Sequence, residues 1–158
     1  MGFVRPRRLG EVLAAPLDVV LSEHDVLQPD LIFISTGRSS IATEANIQGA
    51  PDLVMEILSP STAGRDRILK RARYARYGVR EYWIVDPESR TDEVLKAGES
   101  GLETVRVYPE GTVATSPILE GLRIEVSGMF GWTPAGLQTP GLKARQGPFP
   151  YPRRRIGH

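Results

Sequence analysis

Three short runs of apolar residues dominate the pattern along the chain: 31–34 (LIFI), 53–58 (LVMEIL, with one carboxylate inside it) and 82–85 (YWIV). Runs of this length without polar alternation suit strands covered on both faces. Between the second and third runs the pattern turns helical over 62–77. Ile68, Ala72 and Ala75, extended by Leu69, fall on one face, and Asp66, Lys70, Arg73 and Tyr77 on the opposite one. Ser61 or Thr62 can cap the first turn, and Gly78 stands where a left-handed residue ends a helix. Strand, helix and strand in this order predict a right-handed crossover joining two parallel strands.

Outside this unit, residues 12–21 alternate imperfectly, with strand character over 19–21, and 22–25 reads as a turn. Residues 35–50 form a long polar connection, read as mobile. Residues 93–97 and 103–108, separated by Gly98 and Gly101, predict an antiparallel hairpin. Residues 122–126 read either as one more short strand or as the lead-in to Met129 and Phe130. The fold class is α/β: a mixed β-sheet with a helical crossover (strand 52–58, helix 62–77, strand 81–86) and a C-terminal hairpin.

Composition divides the chain. Residues 1–132 carry 15 basic and 19 acidic side chains, whereas 133–158 carry five basic ones and no acid and are rich in Pro and Gly. The expected organisation is one domain over 1–132 and a disordered basic tail over 133–158, whose Arg153, Arg154 and Arg155 could touch phosphates or simply be solvated. The absence of cysteine excludes disulfides, thiolate metal sites and a cysteine nucleophile. No apolar run approaches a membrane span and the N-terminus lacks a signal-peptide core, so a cytoplasmic protein without membrane association is expected.

Glu56 changes the picture most. Burying an unpaired charge is costly, so a carboxylate inside Leu-Val-Met-Glu-Ile-Leu points to a role other than stability. Residues 52, 54, 56 and 58 share one strand face, but Asp52 and Glu56 are separated by about 13 Å. One Mg²⁺, with oxygens at about 2.1 Å, cannot hold both. A second acid must come from a neighbouring strand. If 28–35 pairs antiparallel with 52–59, one register sets Asp30 opposite Glu56 and Ile34 opposite Asp52, with opposed Cβ atoms roughly 5 Å apart. Two carboxylates that close repel unless a cation joins them or one is protonated. Asp52 and Asp30 each follow a proline, and both can also be read as turn or edge residues.

The segment 65–80 holds seven basic residues and one acid, Asp66. A solvated helix face accounts for such charge, and so does an approach to phosphates through Arg65, Arg67, Arg71 and Arg73. Tyr74 and Tyr77 can stack on bases or pack in the core. His24 and His158 are isolated, and neither a Gly-rich phosphate loop nor a G-x-S-x-G motif occurs.

VLQPDLIFIS, GAPDLVMEILSPST, RDRILKRARYARYGVREYWIVDPES and SPILEGLRIEVSGMF together resemble the putative restriction endonuclease (Uma2-type) family over about residues 10–132. The resemblance implies a restriction-endonuclease-like fold with a PD-(D/E)-x-K site. Asp30 and Glu56 would be the metal-binding acids, with Mg²⁺ or Mn²⁺ as cofactor and DNA as partner. The strand lysine expected two residues after Glu56 is Leu58 here, and Lys70 on the following helix would take its place. Asp52 and Asp66 would be accessory acids. Family members usually begin with several dozen further residues that include a helix and an additional acid. This chain is therefore expected to be N-terminally short, with a sheet face left uncovered and homo-oligomerisation as one remedy. Three functions follow: a Mg²⁺-dependent DNA endonuclease using Asp30, Glu56 and Lys70; a catalytically inactive remnant that binds nucleic acid or a partner; and a purely structural partner of a longer homologue.

Overall fold

The computed structural model describes residues 8–59 and 63–130, and of residues 63–66 the backbone alone. The expected basic tail at 133–158 and the capping residues Ser61 and Thr62 lie outside the described residues. The elements in chain order are β1 (Gly10–Ala14), β2 (Val19–Val20), β3 (Val26–Leu27), β4 (Leu31–Ser35), β5 (Ile47–Gln48), β6 (Leu53–Ile57), α1 (Ala63–Tyr77), β7 (Glu81–Asp86), β8 (Thr91–Gly98), β9 (Gly101–Pro109), β10 (Val113–Thr115) and β11 (Arg123–Glu125). Six strands make the main sheet in the order β1-β4-β6-β7-β8-β9. Only β6 and β7 pair in parallel within it, and α1 is the crossover between them. The sheet is mixed and the class α/β, as the apolar runs predict.

Both faces of the sheet are covered, which is why its central strands do not alternate. On one face Phe33, Met55, Trp83 and Val94 meet Ala114, Leu122, Val126 and Met129 from the C-terminal segment that carries β10 and β11. On the other, Ile32, Val54, Tyr82, Ile84 and Leu95 meet Tyr74 of α1 and Val19, Leu27 and Ile47 of a small sheet ordered β3-β2-β5. The connection at 35–50 is thus not irregular throughout. It contains a 3-10 turn at Thr36–Ile41 and supplies β5. The stretch 12–21 is split in two: β1 ends before Pro16, which has no N–H for a ladder.

Helix α1 turns a different face inward from the one its apolar stripe suggests. Ile68 is 72% exposed and Leu69 43%, whereas Tyr74 is fully buried, its ring edge-to-face with Tyr82 at 5.0 Å. Beside Tyr74 the half-buried Arg67, Lys70 and Arg71 lie over the sheet. Long cationic side chains can cover apolar surface with their stems while their heads find partners. Here Arg71 donates twice to the Leu102 carbonyl, at 3.0 and 2.6 Å. Gly78 ends the helix as expected, with φ +91° and with Val79 N–H donating to the Tyr74 carbonyl.

Two acids on the C-terminal side of the sheet are fully buried. Glu81 accepts hydrogen bonds from Trp83 Nε1 (2.6 Å), Ser116 Oγ (2.9 Å) and Ile118 N–H (3.0 Å), and so ties β7 to the segment leading into β11. Asp92 on β8 has no hydrogen-bond partner among the described residues for either oxygen. Burial, reinforced by the charge of Glu81, pushes its pKa up to about 8. A carboxyl raised in the folded state favours folding below its ordinary pKa and loses that contribution as pH rises through its folded value. Asp92→Asn should therefore melt close to wild type near pH 4 and increasingly above it up to about pH 8, at about 1.4 kcal/mol per pH unit inside that window. Thermal melts across this range check it; parallel curves for the two proteins would contradict it.

Candidate functional site

The β4–β6 ladder pairs Leu31 with Met55, Ile32 with Val54 and Phe33 with Leu53. Continued by one residue, this register sets Asp30 opposite Glu56, the arrangement the sequence allows only as an assumption. Glu56 is held in the strand interior and is 4% exposed. Asp30 stands half-buried just before β4, with Oδ2 accepting the Ile57 N–H at 2.7 Å. The crossover brings α1 above the pair. Lys70 Nζ lies 2.8 Å from Glu56 Oε1, and Tyr82 on β7 donates its hydroxyl to Glu56 Oε2 at 3.2 Å. Asp30, Glu56, Arg67, Lys70 and Tyr82, with the chain at 57–59, line a cavity of about 210 Å³.

Electrostatics set both carboxyls above their ordinary range. Burial raises the pKa of Glu56; the Lys70 contact opposes this, and the charge of Asp30 adds to it. Burial likewise raises Asp30, against the Ile57 N–H bond and Lys70. Lys70 thus compensates part of the charge of both acids. Among the described residues no three His, Cys, Asp or Glu side chains converge on one point. Two facing carboxylates still suit a Mg²⁺-like ion, which is commonly bound through one or two protein carboxylates with water and substrate phosphate supplying the rest. The residues present fit such an ion.

Of the other sequence candidates, Asp52 sits at the far end of β6. Burial would raise its pKa, but the Ser35 N–H at 2.7 Å and Arg38 at 3.4 Å more than offset that and hold it below the usual value. It locks the strand ends together rather than lining the cavity. Arg71 is engaged at Leu102, and Arg73 lies on the far flank of α1, 3.3 Å from Asp25. Arg67 reaches the cavity. The side chains of Arg65 and Asp66 lie outside the described residues. Sequence reasoning missed Tyr82. The available signal was its hydroxyl, since a tyrosine inside a strand covered on both faces needs a partner for that group.

Comparison with known proteins agrees with this architecture. The model of the Uma2 family, described as putative restriction endonuclease, matches residues 1–127. A crystal structure described as a putative nuclease belonging to DUF820, from Anabaena variabilis ATCC 29413, superposes with a TM-score of 0.64 at 23% identity. The match covers 83% of this chain and 73% of that one. Comparison with curated proteins gives no match. Among the described residues no helix is long and apolar enough to cross a membrane.

The raised Asp30 carboxyl generates a stability test. Its charged form opposes folding at neutral pH, and the sign reverses the usual aspartate case: the favourable contribution exists below its ordinary pKa of 3.8 and is lost as pH rises. Asp30→Asn keeps an oxygen for the Ile57 N–H and removes the charge. Its melting temperature should exceed that of wild type at pH 7, with the gap closing toward pH 4. A less stable variant at pH 7 would show that Asp30 is held by favourable charge pairing instead.

Proposed function

The chain belongs to the Uma2 family of putative restriction endonucleases, and on that premise we propose that it hydrolyses DNA phosphodiester bonds with the help of a divalent ion, Mg²⁺ or Mn²⁺. The observation that carries this reading is the facing pair Asp30 and Glu56 with the Lys70 ammonium on the Glu56 carboxylate, all opening on one polar cavity.

Asp30 and Glu56 would hold the ion through their carboxylate oxygens. When bound, a divalent ion lowers the pKa of water and neutralises charge on a phosphate. The rest falls to the chain. Lys70 would orient the attacking water and stabilise negative charge as the new P–O bond forms and the bond to the leaving sugar oxygen breaks. Water supplies the hydroxyl to phosphorus and a proton to the departing alcohol, so one phosphodiester and one water yield a phosphate monoester and a free hydroxyl. Tyr82, donating to Glu56 Oε2, fixes the carboxylate that the lysine also touches. The strand position two residues beyond Glu56 is Leu58, and Lys70 from the helix would supply the cation in its place. Cationic residues on α1 favour a polyanionic substrate.

Plasmid nicking by purified protein in Mg²⁺ or Mn²⁺, beside Glu56→Ala, tests the proposal. Cleavage should require the ion and be lost or sharply reduced in the variant, because one of the two carboxylates that would hold the ion is gone. Both acids must be deprotonated to hold a cation, and both are raised. Cleavage should therefore weaken on acidification, as protons compete with the ion for the two carboxylates. Salt-sensitive DNA binding without cleavage by folded protein would support the inactive remnant instead.

A further inference from the structure

The same helix face makes a second ion pair, two strands away from the first. Glu56 pairs in register with Ile84, and Ile84 with Glu93, so the two glutamates occupy one row on one face of the sheet, roughly 10 Å apart. Lys70 covers the first. Arg67, three residues earlier on α1 and therefore on the adjoining helical surface, is in ion-pair contact with Glu93 Oε1. Thr104 on β9 donates its hydroxyl to Glu93 Oε2 at 2.5 Å. Glu93 is 6% exposed, while the Arg67 side chain is 40% exposed and reaches the cavity of Asp30 and Glu56.

A glutamate in this row is a costly way to fill a sheet position, because an apolar side chain would avoid the desolvation of a charge. Its effect is to fix a guanidinium. Arginine presents five N–H donors in a rigid plane, and a carboxylate on one edge leaves the others directed elsewhere. We propose that Arg67 is the phosphate-binding arginine of this cavity, contacting a DNA phosphodiester next to the acidic pair, and that Glu93, itself held by Thr104, is its positioning residue. The inference rests on the nuclease reading of the same cavity and adds a substrate contact to it. It also separates Arg67 from Arg71 and Arg73, whose heads are engaged away from the cavity.

The test measures binding of a short fluorescent DNA duplex as a function of salt, with Ca²⁺ replacing Mg²⁺ so that bound DNA stays intact. Arg67→Gln retains a donor toward Glu93 while removing the charge, and melting curves report that it is folded. It should weaken binding about tenfold and lower the slope of log K against log salt by about one, as expected for one lost phosphate contact. Arg67→Lys keeps the charge without the fork and should lose less affinity at an unchanged slope. Glu93→Leu should reproduce most of the Arg67→Gln loss, and Glu93→Gln, which can still accept from Arg67, should restore it. The double variant Arg67→Gln/Glu93→Leu should bind no more weakly than Arg67→Gln alone, since Glu93 acts only through the arginine. If wild type binds DNA and Arg67→Gln binds equally well with the same slope, the arginine contact is wrong and the nuclease reading stands. If Arg67→Gln weakens binding but Glu93→Leu does not, the positioning role is wrong. If wild type binds no DNA at any salt, the proposal and the nuclease reading fall together.

Discussion

The antiparallel register of β4 against β6 determines where everything else in the site must be. Because side chains alternate along a strand, shifting that register by one residue would remove Asp30 from Glu56 and put it against an apolar neighbour. The observed pairing of Leu31 with Met55 fixes the two acids as neighbours, and the Ile57 N–H bond to Asp30 pins the end of the ladder where they meet. The register is in turn held from the other end. Asp52, tied to the Ser35 N–H and to Arg38 and Arg80, clamps the start of β6 to the end of β4. The buried acids just before and within this short strand thus play different parts. Asp52 is satisfied and structural, whereas Glu56 remains electrostatically under strain.

The helix resolves part of that strain and sets the character of the cavity. Had α1 covered the sheet with Ile68, Leu69 and Ala72, the space above Glu56 would be apolar and the carboxylate unpaired. Instead Tyr74 fills the core position, and beside it Lys70 and Arg67 bring their heads to Glu56 and Glu93 while Arg71 donates to the Leu102 carbonyl. The parallel β6–β7 pair makes this possible, because the crossover returns α1 over the face on which Glu56, Tyr82 and Glu93 lie. The same placement accounts for the polar groups around Glu56. Lys70 and Tyr82 each satisfy one oxygen, so the site is pre-formed without being neutral.

Much of this was legible in the sequence. The unbroken apolar runs gave away the central strands, Gly78 marked the helix end, and Glu56 was conspicuous because nothing in Leu-Val-Met-Glu-Ile-Leu explains a charge. The pairing of Asp30 with Glu56 could be written down as one register among several, yet only the folded ladder selects it. The inward face of α1 was illegible because hydropathy counts Lys70, Arg67 and Arg71 as polar, whereas here they are half-buried with their heads on groups of the sheet, and Tyr74 supplies the fully buried ring. Tyr82 reaches Glu56, and Glu93 reaches Arg67, through tertiary pairing across β6, β7 and β8, which no local pattern encodes. Asp92 was likewise hidden, since an aspartate at a strand start ordinarily faces water and here it is fully buried.

Anomalous diffraction from crystals grown with Mn²⁺ would locate the ion that the facing acids are proposed to hold, and it addresses the central claim without relying on turnover. The account predicts one strong site between the Asp30 and Glu56 carboxylates, with oxygens at about the 2.1 Å typical of small divalent cations, lost in crystals of Glu56→Ala. Mn²⁺ bound elsewhere on the chain, with the Lys70–Glu56 contact intact and the space beside Asp30 holding only water, would contradict it.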